Sequence, residues 1–135
     1  MSYDSTRIAL YSELLDKIDQ NIISLRFDTI KEEDPITLTH KPWIRCFLEP
    51  IETSQHNLGT STPLDKTIGF LMIEIYDREE NGYAEILRIA DFIKSLFYRK
   101  SFQNGDIIIN KATILNKKTY LEWNCKVLQL TNIET

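Results

Sequence analysis

The segment from Thr67 to Phe97 constrains the fold of this chain more than any other part of the sequence. It begins with TIGFLMIEIYD, a run too apolar for a surface loop and too short to span a membrane, which predicts a largely buried strand. An acidic turn with Asn81-Gly82 follows, and then the segment AEILRIADFIKSLF. Apolar residues recur there at helical spacing: Ile86, Ala90, Ile93 and Phe97. We therefore expect an amphipathic helix that buries these four residues against a sheet.

The N-terminal part of the chain predicts another amphipathic helix. Its apolar residues are spaced three or four positions apart: Ile8, Tyr11, Leu14, Leu15, Ile18, Ile22 and Leu25. The residues between them are mainly polar, so the helix should lie on one side of a sheet with its outer side in water. The charge run from Lys31 to Pro35 then predicts a solvated connector.

Three further segments predict strands. Trp43 to Leu48 alternates between two faces and is bracketed by prolines. Ile107 to Leu115 and Tyr120 to Leu130 predict a hairpin with its tip at Asn116-Lys117-Lys118. Ile51 to Lys66 is mainly Ser, Thr, Gln, Asn, Gly and Pro, which predicts a long mobile loop.

The order of predicted elements is therefore α-β-β-α-β-β. A chain of 135 residues corresponds to a single domain, 1–135, with one core. Hairpins on both sides of the second helix predict an α+β fold with a single, mainly antiparallel four-stranded sheet and helices packed on it. Cys46 and Cys125 fall in predicted strands among bulky apolar residues, which favours reduced core cysteines over a disulfide.

Composition argues against several functional classes. A net charge of -4 is unlike that of a nucleic-acid-coating protein. No apolar run is long enough for a transmembrane helix, and the N-terminus lacks the features of a signal peptide, so we expect a cytoplasmic protein that does not bind a membrane. The four glycines lie far apart, whereas a P-loop or dinucleotide fingerprint needs clustered glycines. The strand aromatics have only Arg45 among them, so they predict a core or subunit interface rather than a base-stacking face.

The acidic turn has a partial likeness to a metal site. Asp77, Glu79 and Asn81-Gly82 resemble the first half of a calcium loop, but Arg88 occupies the position of the required bidentate carboxylate. An acidic turn at a helix N-terminus is the better interpretation. A looser divalent cation contact between subunits stays open.

Catalytic groups show no recognisable pattern. His40 and His56 lie in or next to polar segments, and neither has a second histidine at the spacing of helical metal ligands. We therefore predict no enzyme activity, no catalytic residues, no cofactor and no metal site.

Three segments together resemble tail terminator proteins of long-tailed bacteriophages. They are PWIRCFLEP (Pro42 to Pro50), the strand–turn–helix unit from Thr67 to Phe97, and YLEWNCKVLQL (Tyr120 to Leu130). The matching positions are Trp43-Ile44-Arg45, Leu58-Gly59, Gly69, Gly82, Ala90-Asp91, Phe97 and Trp123. The resemblance covers about the last two thirds of the chain and rests on pattern rather than on a signature motif. The turn YDREENGY contains one glycine where such proteins often have a glycine- and proline-rich turn.

The resemblance implies a structural protein of the virion tail, assembled in the host cytoplasm. Such a protein forms a homo-hexameric ring on the tail tube protein, stops tube polymerisation and offers a docking surface to the head-completion or connector protein. Genomic DNA only passes through the channel, for which a negatively charged lining is suitable. Partner-binding positions are predicted in the long loop, the acidic turn and the hairpin tip: Leu58, Gly59, Asp77, Glu79, Glu80, Lys117 and Lys118.

Two other functions are compatible with the sequence. One is a neck or head–tail joining protein of similar fold. The other is a small cytosolic enzyme or ligand-binding domain with a pocket between helix and sheet, lined by Arg45, Asp91 and the histidines. A flat aromatic-lined interface would favour an assembly protein instead.

Overall fold

The computed structural model describes residues 3–27, 41–56, 64–102, 105, 107–116 and 123–134. The elements, in chain order, are α1 (Tyr3–Lys17), β1 (Ser24–Phe27), β2 (Trp43–His56), β3 (Leu64–Arg78), α2 (Ala84–Phe97), β4 (Ser101–Phe102), β5 (Ile107–Asn116) and β6 (Trp123–Glu134). A 3-10 turn, Glu79–Asn81, joins β3 to α2. No helix in the described part of the chain is long and apolar enough to cross a membrane.

The strands form one six-stranded sheet in the order β1-β2-β3-β6-β5-β4. β1 is parallel to β2, and every other neighbouring pair is antiparallel. The α+β class is as predicted, but the prediction of a mainly antiparallel four-stranded sheet is wrong, because the sheet is mixed and has six strands. The two unpredicted strands are the edge strands, of four and two residues, which are too short to show a clear alternation of apolar and polar side chains.

The first helix ends at Lys17 rather than continuing to Leu25. The carbonyl of Asp19 accepts hydrogen bonds from the amides of Ile22 and Ile23, and its carboxylate accepts one from the amide of Asn21. These local bonds replace the next helical turn. The chain is then free to enter β1, whose first amide, on Ser24, donates to the carbonyl of Pro42.

Most of the predicted loop from Ile51 to Lys66 lies in two long strands. β2 continues to His56, β3 begins at Leu64, and the two pair antiparallel with a bulge between Pro50 and Glu52. The prediction of a mobile loop is therefore wrong for these strands, and residues 57–63 lie outside the described part of the chain. β6 ends opposite Thr67, so Ser54–His56 and Leu64–Lys66 pair only with each other and form a hairpin arm beyond the sheet.

Both helices pack on the same face of the sheet, called here the helix-covered face. α2 has the predicted bounds and buries the four predicted residues, together with Ile89. α1 adds Leu10, Tyr11, Leu14 and Ile18 to the same cluster. The sheet contributes alternate residues from the central strands, including Ile44, Ile73 and Leu128. The opposite side of the sheet, the open face, has no helix packed on it in the described part of the chain.

Candidate interaction surfaces

Aromatic side chains bury one end of the open face without a second layer. Trp43 and Tyr76 are opposite each other in the register of β2 and β3, and their rings stack with centroids 3.8 Å apart and planes within 6°. The Trp123 ring meets Trp43 edge to face, with centroids 5.8 Å apart. The guanidinium of Arg78 lies 4.5 Å above the Trp123 ring, where cation–π attraction and its own bulk both cover the ring. The two tryptophans and Tyr76 are each at most 5% exposed.

A buried ion pair continues this cluster along the open face. Arg45 and Glu74 are opposite each other in β2 and β3, and Arg45 Nε lies 2.7 Å from Glu74 Oε1. The Tyr76 hydroxyl donates to the same oxygen over 3.1 Å. Glu74 is only 4% exposed, so these two partners replace the water that burial removes. The sequence showed that Arg45 and Glu74 both lie in strands, but it did not reveal that they are opposite each other.

The buried surroundings also act on Tyr76 itself. Burial, and secondarily the neighbouring Cys125 and Glu74, raise the pKa of the Tyr76 hydroxyl well above its ordinary value. The hydroxyl therefore stays protonated and acts as a hydrogen-bond donor. Cys125, beside it, and Cys46, on the helix-covered face, are both buried and form no disulfide, as predicted.

The rest of the open face presents partly exposed apolar side chains. Ile108 is 45% exposed and Leu115 is 38% exposed. Leu115, at the far end of β5, is opposite Val127. A row of side chains of intermediate exposure is connected to Ile108 through the register on the same face: Ile133, Ile68, Phe70, Met72 and Phe47. Contiguous apolar surface of this kind marks interaction sites on soluble proteins.

The outer sides of the helices carry a second set of exposed apolar residues. On α1, Ile8 and Leu15 are 51% and 50% exposed and lie seven positions apart, on the same side of the helix. On α2, Leu87 and Phe92 are 43% and 44% exposed. Exposed apolar side chains therefore lie on both sides of the domain, on the open face and on the helices.

Of the predicted partner-binding residues in the acidic turn, one is buried and two are exposed. Asp77 is 1% exposed, and its carboxylate accepts hydrogen bonds from the Arg78 amide and from Asn81 Nδ2. Asp77 therefore holds the turn together. Glu79 and Glu80 are exposed and are available to a partner.

Gly82 and Asn124 complete the turn. Gly82 has φ of 66°, a conformation that glycine adopts without strain, which explains the single glycine in this segment. Asn124 Nδ2 lies 3.3 Å from the carbonyl oxygens of both Glu79 and Gly82 and donates to them from β6. The exposed carboxylates of the turn are thus presented from a fixed backbone.

A cleft of about 370 Å³ lies beside this turn, lined by Ile22, Pro42, Asp77, Asn81, Ala84 and Glu85. Its lining differs from that of the pocket considered for an enzyme. Arg45 lies on the open face and Asp91 is exposed on α2, across the sheet, so the two do not share a pocket. Within the described residues, no three His, Cys, Asp or Glu side chains are grouped as metal ligands.

Several predicted positions fall outside the described part of the chain: Leu58, Gly59, Lys117, Lys118 and His40. Their predicted roles stay predictions. His56 lies at the end of β2.

The edge of β5 is a surface that the sequence interpretation missed. β4 pairs only with Ile107 and Ile108, and the Lys100 carbonyl and Arg99 amide bond to Ile109. No described strand pairs with the remainder of that edge, up to Asn116. The sequence contained one indication of this edge: Ile114 and Leu115 are apolar residues at the end of a predicted strand, and both are exposed.

Comparison with known proteins gives information on the fold alone. No family model and no curated protein matches this chain. A solved structure whose name describes no function matches 100% of this chain and 96% of its own chain, with a TM-score of 0.71 and 16% sequence identity. At this level of identity the likeness shows a shared fold and nothing about activity.

Proposed function

We propose that the protein is a tail terminator of a long-tailed bacteriophage. It forms a ring on the end of the tail tube, stops polymerisation of the tube and provides the docking surface for the head connector. The observation that carries this proposal is the presence of exposed apolar side chains on both sides of one small domain, on the open face and on the helices.

A closed ring of identical subunits needs two different contact surfaces on each subunit, and binding to the tube and the connector needs further ones. In a heterologous contact, one surface of each subunit binds a different surface of the next, and the ring closes when the rotation per subunit matches. A single self-complementary patch would give a two-fold dimer instead. Six copies of the 15.9 kDa chain give a ring of about 95 kDa.

The charged residues supply contacts for the neighbours of the ring. Glu79 and Glu80 are exposed on a turn that Asp77 and Asn124 hold in place, so their carboxylates are suited to bind a tail protein in a defined geometry. Leu58, Gly59, Lys117 and Lys118 are the further positions proposed to contact the tube or the connector. The net charge of -4 suits a channel through which DNA passes without being held.

The proposal is tested by producing phage with and without this chain and measuring tails by electron microscopy. We expect overlong or unfinished tails without the protein, and a six-fold ring at the tail end with it. Normal tails that fail to join heads would instead identify a neck protein. Normal tail length together with normal head joining would refute an assembly role.

A double charge reversal, Glu79→Lys with Glu80→Lys, examines the partner contact separately. We expect it to preserve the melting temperature, since both side chains are exposed, and to reduce the recovery of finished tails. Asp91→Lys, at an exposed position in the middle of α2, is the control. Equal tail recovery from both variants would remove the turn from the proposed contact.

A further inference from the structure

The open edge of β5 has a defined set of outward backbone groups. Ile109 directs its amide and carbonyl away from β6, because they bond to Lys100 and Arg99. A one-residue bulge between Ile109 and Lys111 then resets the alternation, and Lys111 pairs with Thr131 of β6. Backbone groups alternate between the two sides of an antiparallel strand. Ala112, Ile114 and Asn116 therefore point their amides away from β6.

A second open edge lies on the other side of the sheet. β1 pairs with β2 only from Trp43 to Cys46, so the outer edge of β2 from Phe47 to His56 has no partner among the described strands. Pro50 lies within this stretch, and proline is tolerated in a sheet where its missing amide would face the edge. The two open edges are seven and ten residues long, from Asn110 to Asn116 and from Phe47 to His56.

Charge distinguishes these two edges. The β2 stretch FLEPIETSQH contains Glu49 and Glu52 and no lysine or arginine. The β5 stretch contains Lys111 and no acidic residue, and the sequence continues with Lys117 and Lys118. Pairing of two copies through like edges would place like charges together, whereas pairing of β5 with β2 of another copy places opposite charges together.

The face of the sheet on which these charged side chains lie also favours pairing of β5 with β2. Glu49 is opposite Phe70 in β3, and Lys111 is opposite Thr131 in β6, which is itself opposite Phe70. Both charged side chains are therefore on the open face, and both are exposed. Addition of one sheet to the next keeps that face continuous, so the carboxylate and the ammonium come to the same side.

We propose that the outward edge of β5, from Ala112 to Asn116, binds the outer edge of β2 in a second copy of this chain by β-strand addition. This inference rests on the proposed function in that it names the contact by which the ring closes. The contact is made by hydrogen bonds between backbone amides and carbonyls. Attraction between Lys111 and Glu49 favours pairing of β5 with β2 over pairing of two like edges.

Amide hydrogen exchange on the isolated protein tests the contact directly. At low concentration, the amides of Ala112, Ile114 and Asn116 exchange rapidly, whereas those of Lys111, Thr113 and Leu115 are protected by β6. At high concentration, where light scattering shows masses above that of the monomer, exchange of the first three slows about tenfold or more. A monomer at every concentration, or a larger species without this protection, would overturn the inference.

Ile114→Pro is the matching variant, because it removes an outward amide and leaves the β5–β6 bonds in place. We expect it to stay folded and monomeric, whereas Ile114→Ala, which keeps the amide, associates. Should Ile114→Pro fail to fold, charge reversal replaces it. Lys111→Glu and Glu49→Lys each weaken association, and the double variant restores it. Association of Ile114→Pro like the wild type, or no restoration by the double variant, contradicts the edge contact.

The tail experiment separates this inference from the proposed function. If Ile114→Pro abolishes association but tails are normal without the protein, the edge contact is supported and the terminator role is refuted. Defective tails without the protein, but normal tails with Ile114→Pro, would do the reverse.

Discussion

Replacing Arg45 with methionine should destabilise the fold through Glu74, the residue opposite it. The Glu74 side chain is 6% exposed and that of Arg45 is 25% exposed, with 2.7 Å between Arg45 Nε and Glu74 Oε1. Methionine keeps the apolar stem of the side chain but removes the guanidinium. Glu74 would then be a buried carboxylate that has lost the opposite charge, although the Tyr76 hydroxyl still donates to it.

The expected loss lies between two limits. Removing one partner of a fully buried ion pair costs about 3 to 5 kcal/mol, whereas an exposed pair contributes about 0 to 1 kcal/mol. Because Glu74 is nearly inaccessible but a quarter of Arg45 meets water, we expect about 3 kcal/mol, the lower end of the buried range. In a domain of this size, that corresponds to a fall in Tm of about 10 °C.

Urea denaturation of four proteins measures this: wild type, Arg45→Met, Glu74→Met and the double variant. The double variant should recover most of the stability lost by Arg45→Met, because an apolar pair carries no uncompensated charge. Arg88→Met is the matched control, since Arg88 pairs with Glu85 but is 76% exposed, and it should change stability by less than about 0.5 kcal/mol. A loss below about 1 kcal/mol in Arg45→Met, or a double variant less stable than that single one, would refute the reasoning.

Two further predictions concern the core and the aromatic cluster. Phe97→Ala should cost about 3 to 5 kcal/mol in urea denaturation, because Phe97 is 0% exposed, whereas Phe92→Ala on the same helix, 44% exposed, should cost far less; equal losses would show that the helix phase is wrong. The pKa of the Tyr76 hydroxyl is higher in the folded protein than in the unfolded chain. The contribution of this group to the free energy of unfolding is therefore fully present below about pH 10. At higher pH the free energy of unfolding falls by up to about 1.4 kcal/mol per pH unit, because the unfolded chain loses the proton first. Tyr76→Phe should therefore flatten the fall in the free energy of unfolding between about pH 10 and 11, and an unchanged slope in this variant would contradict the prediction.

α2 was predictable from the sequence because independent signals agree on it. Its apolar spacing, an acidic residue in its first turn and a basic residue in its last turn all favour a helix over the same stretch, Ala84–Phe97. The preceding strand was predictable for a similar reason, since a long apolar run between polar segments has few other places to be buried.

Local hydrogen bonding explains why β1 was not predicted. The apolar spacing of three and four continues through Ile22 and Leu25, so periodicity alone extends the helix. Asp19 ends it by capturing the following amides, and the 60% exposure of Ile22 shows that the apparent helix face is no longer buried there. β1 also depends on a parallel partner 19 positions further along the chain, Trp43 for Ser24, which no short window contains.

The arm of the β2–β3 hairpin was not predicted because its stability does not need an apolar face. From Leu64 to Lys66, before Thr67, β3 pairs with β2 and no longer with β6. Polar sequence therefore predicts a loop even where the backbone bonds of a ladder are satisfied. The same reasoning applies to the candidate surfaces, since the exposure of Glu79 and Glu80 follows from their charge, but the pairing of Arg45 with Glu74 follows from a register that composition does not encode.

The division of the open face indicates where a partner is most needed. At one end, Trp43, Tyr76 and Trp123 cover one another, and Glu74 has its charge paired within the chain, so neither the rings nor this carboxylate needs a second subunit. Along β5, Leu115 is 38% exposed, and the edge beside it has outward amides at Ala112, Ile114 and Asn116. A strand added from another copy would accept hydrogen bonds from these amides and would place its own side chains beside Leu115. The surface that most favours assembly is therefore the β5 side of the sheet, and not the aromatic cluster to which the sequence first draws attention.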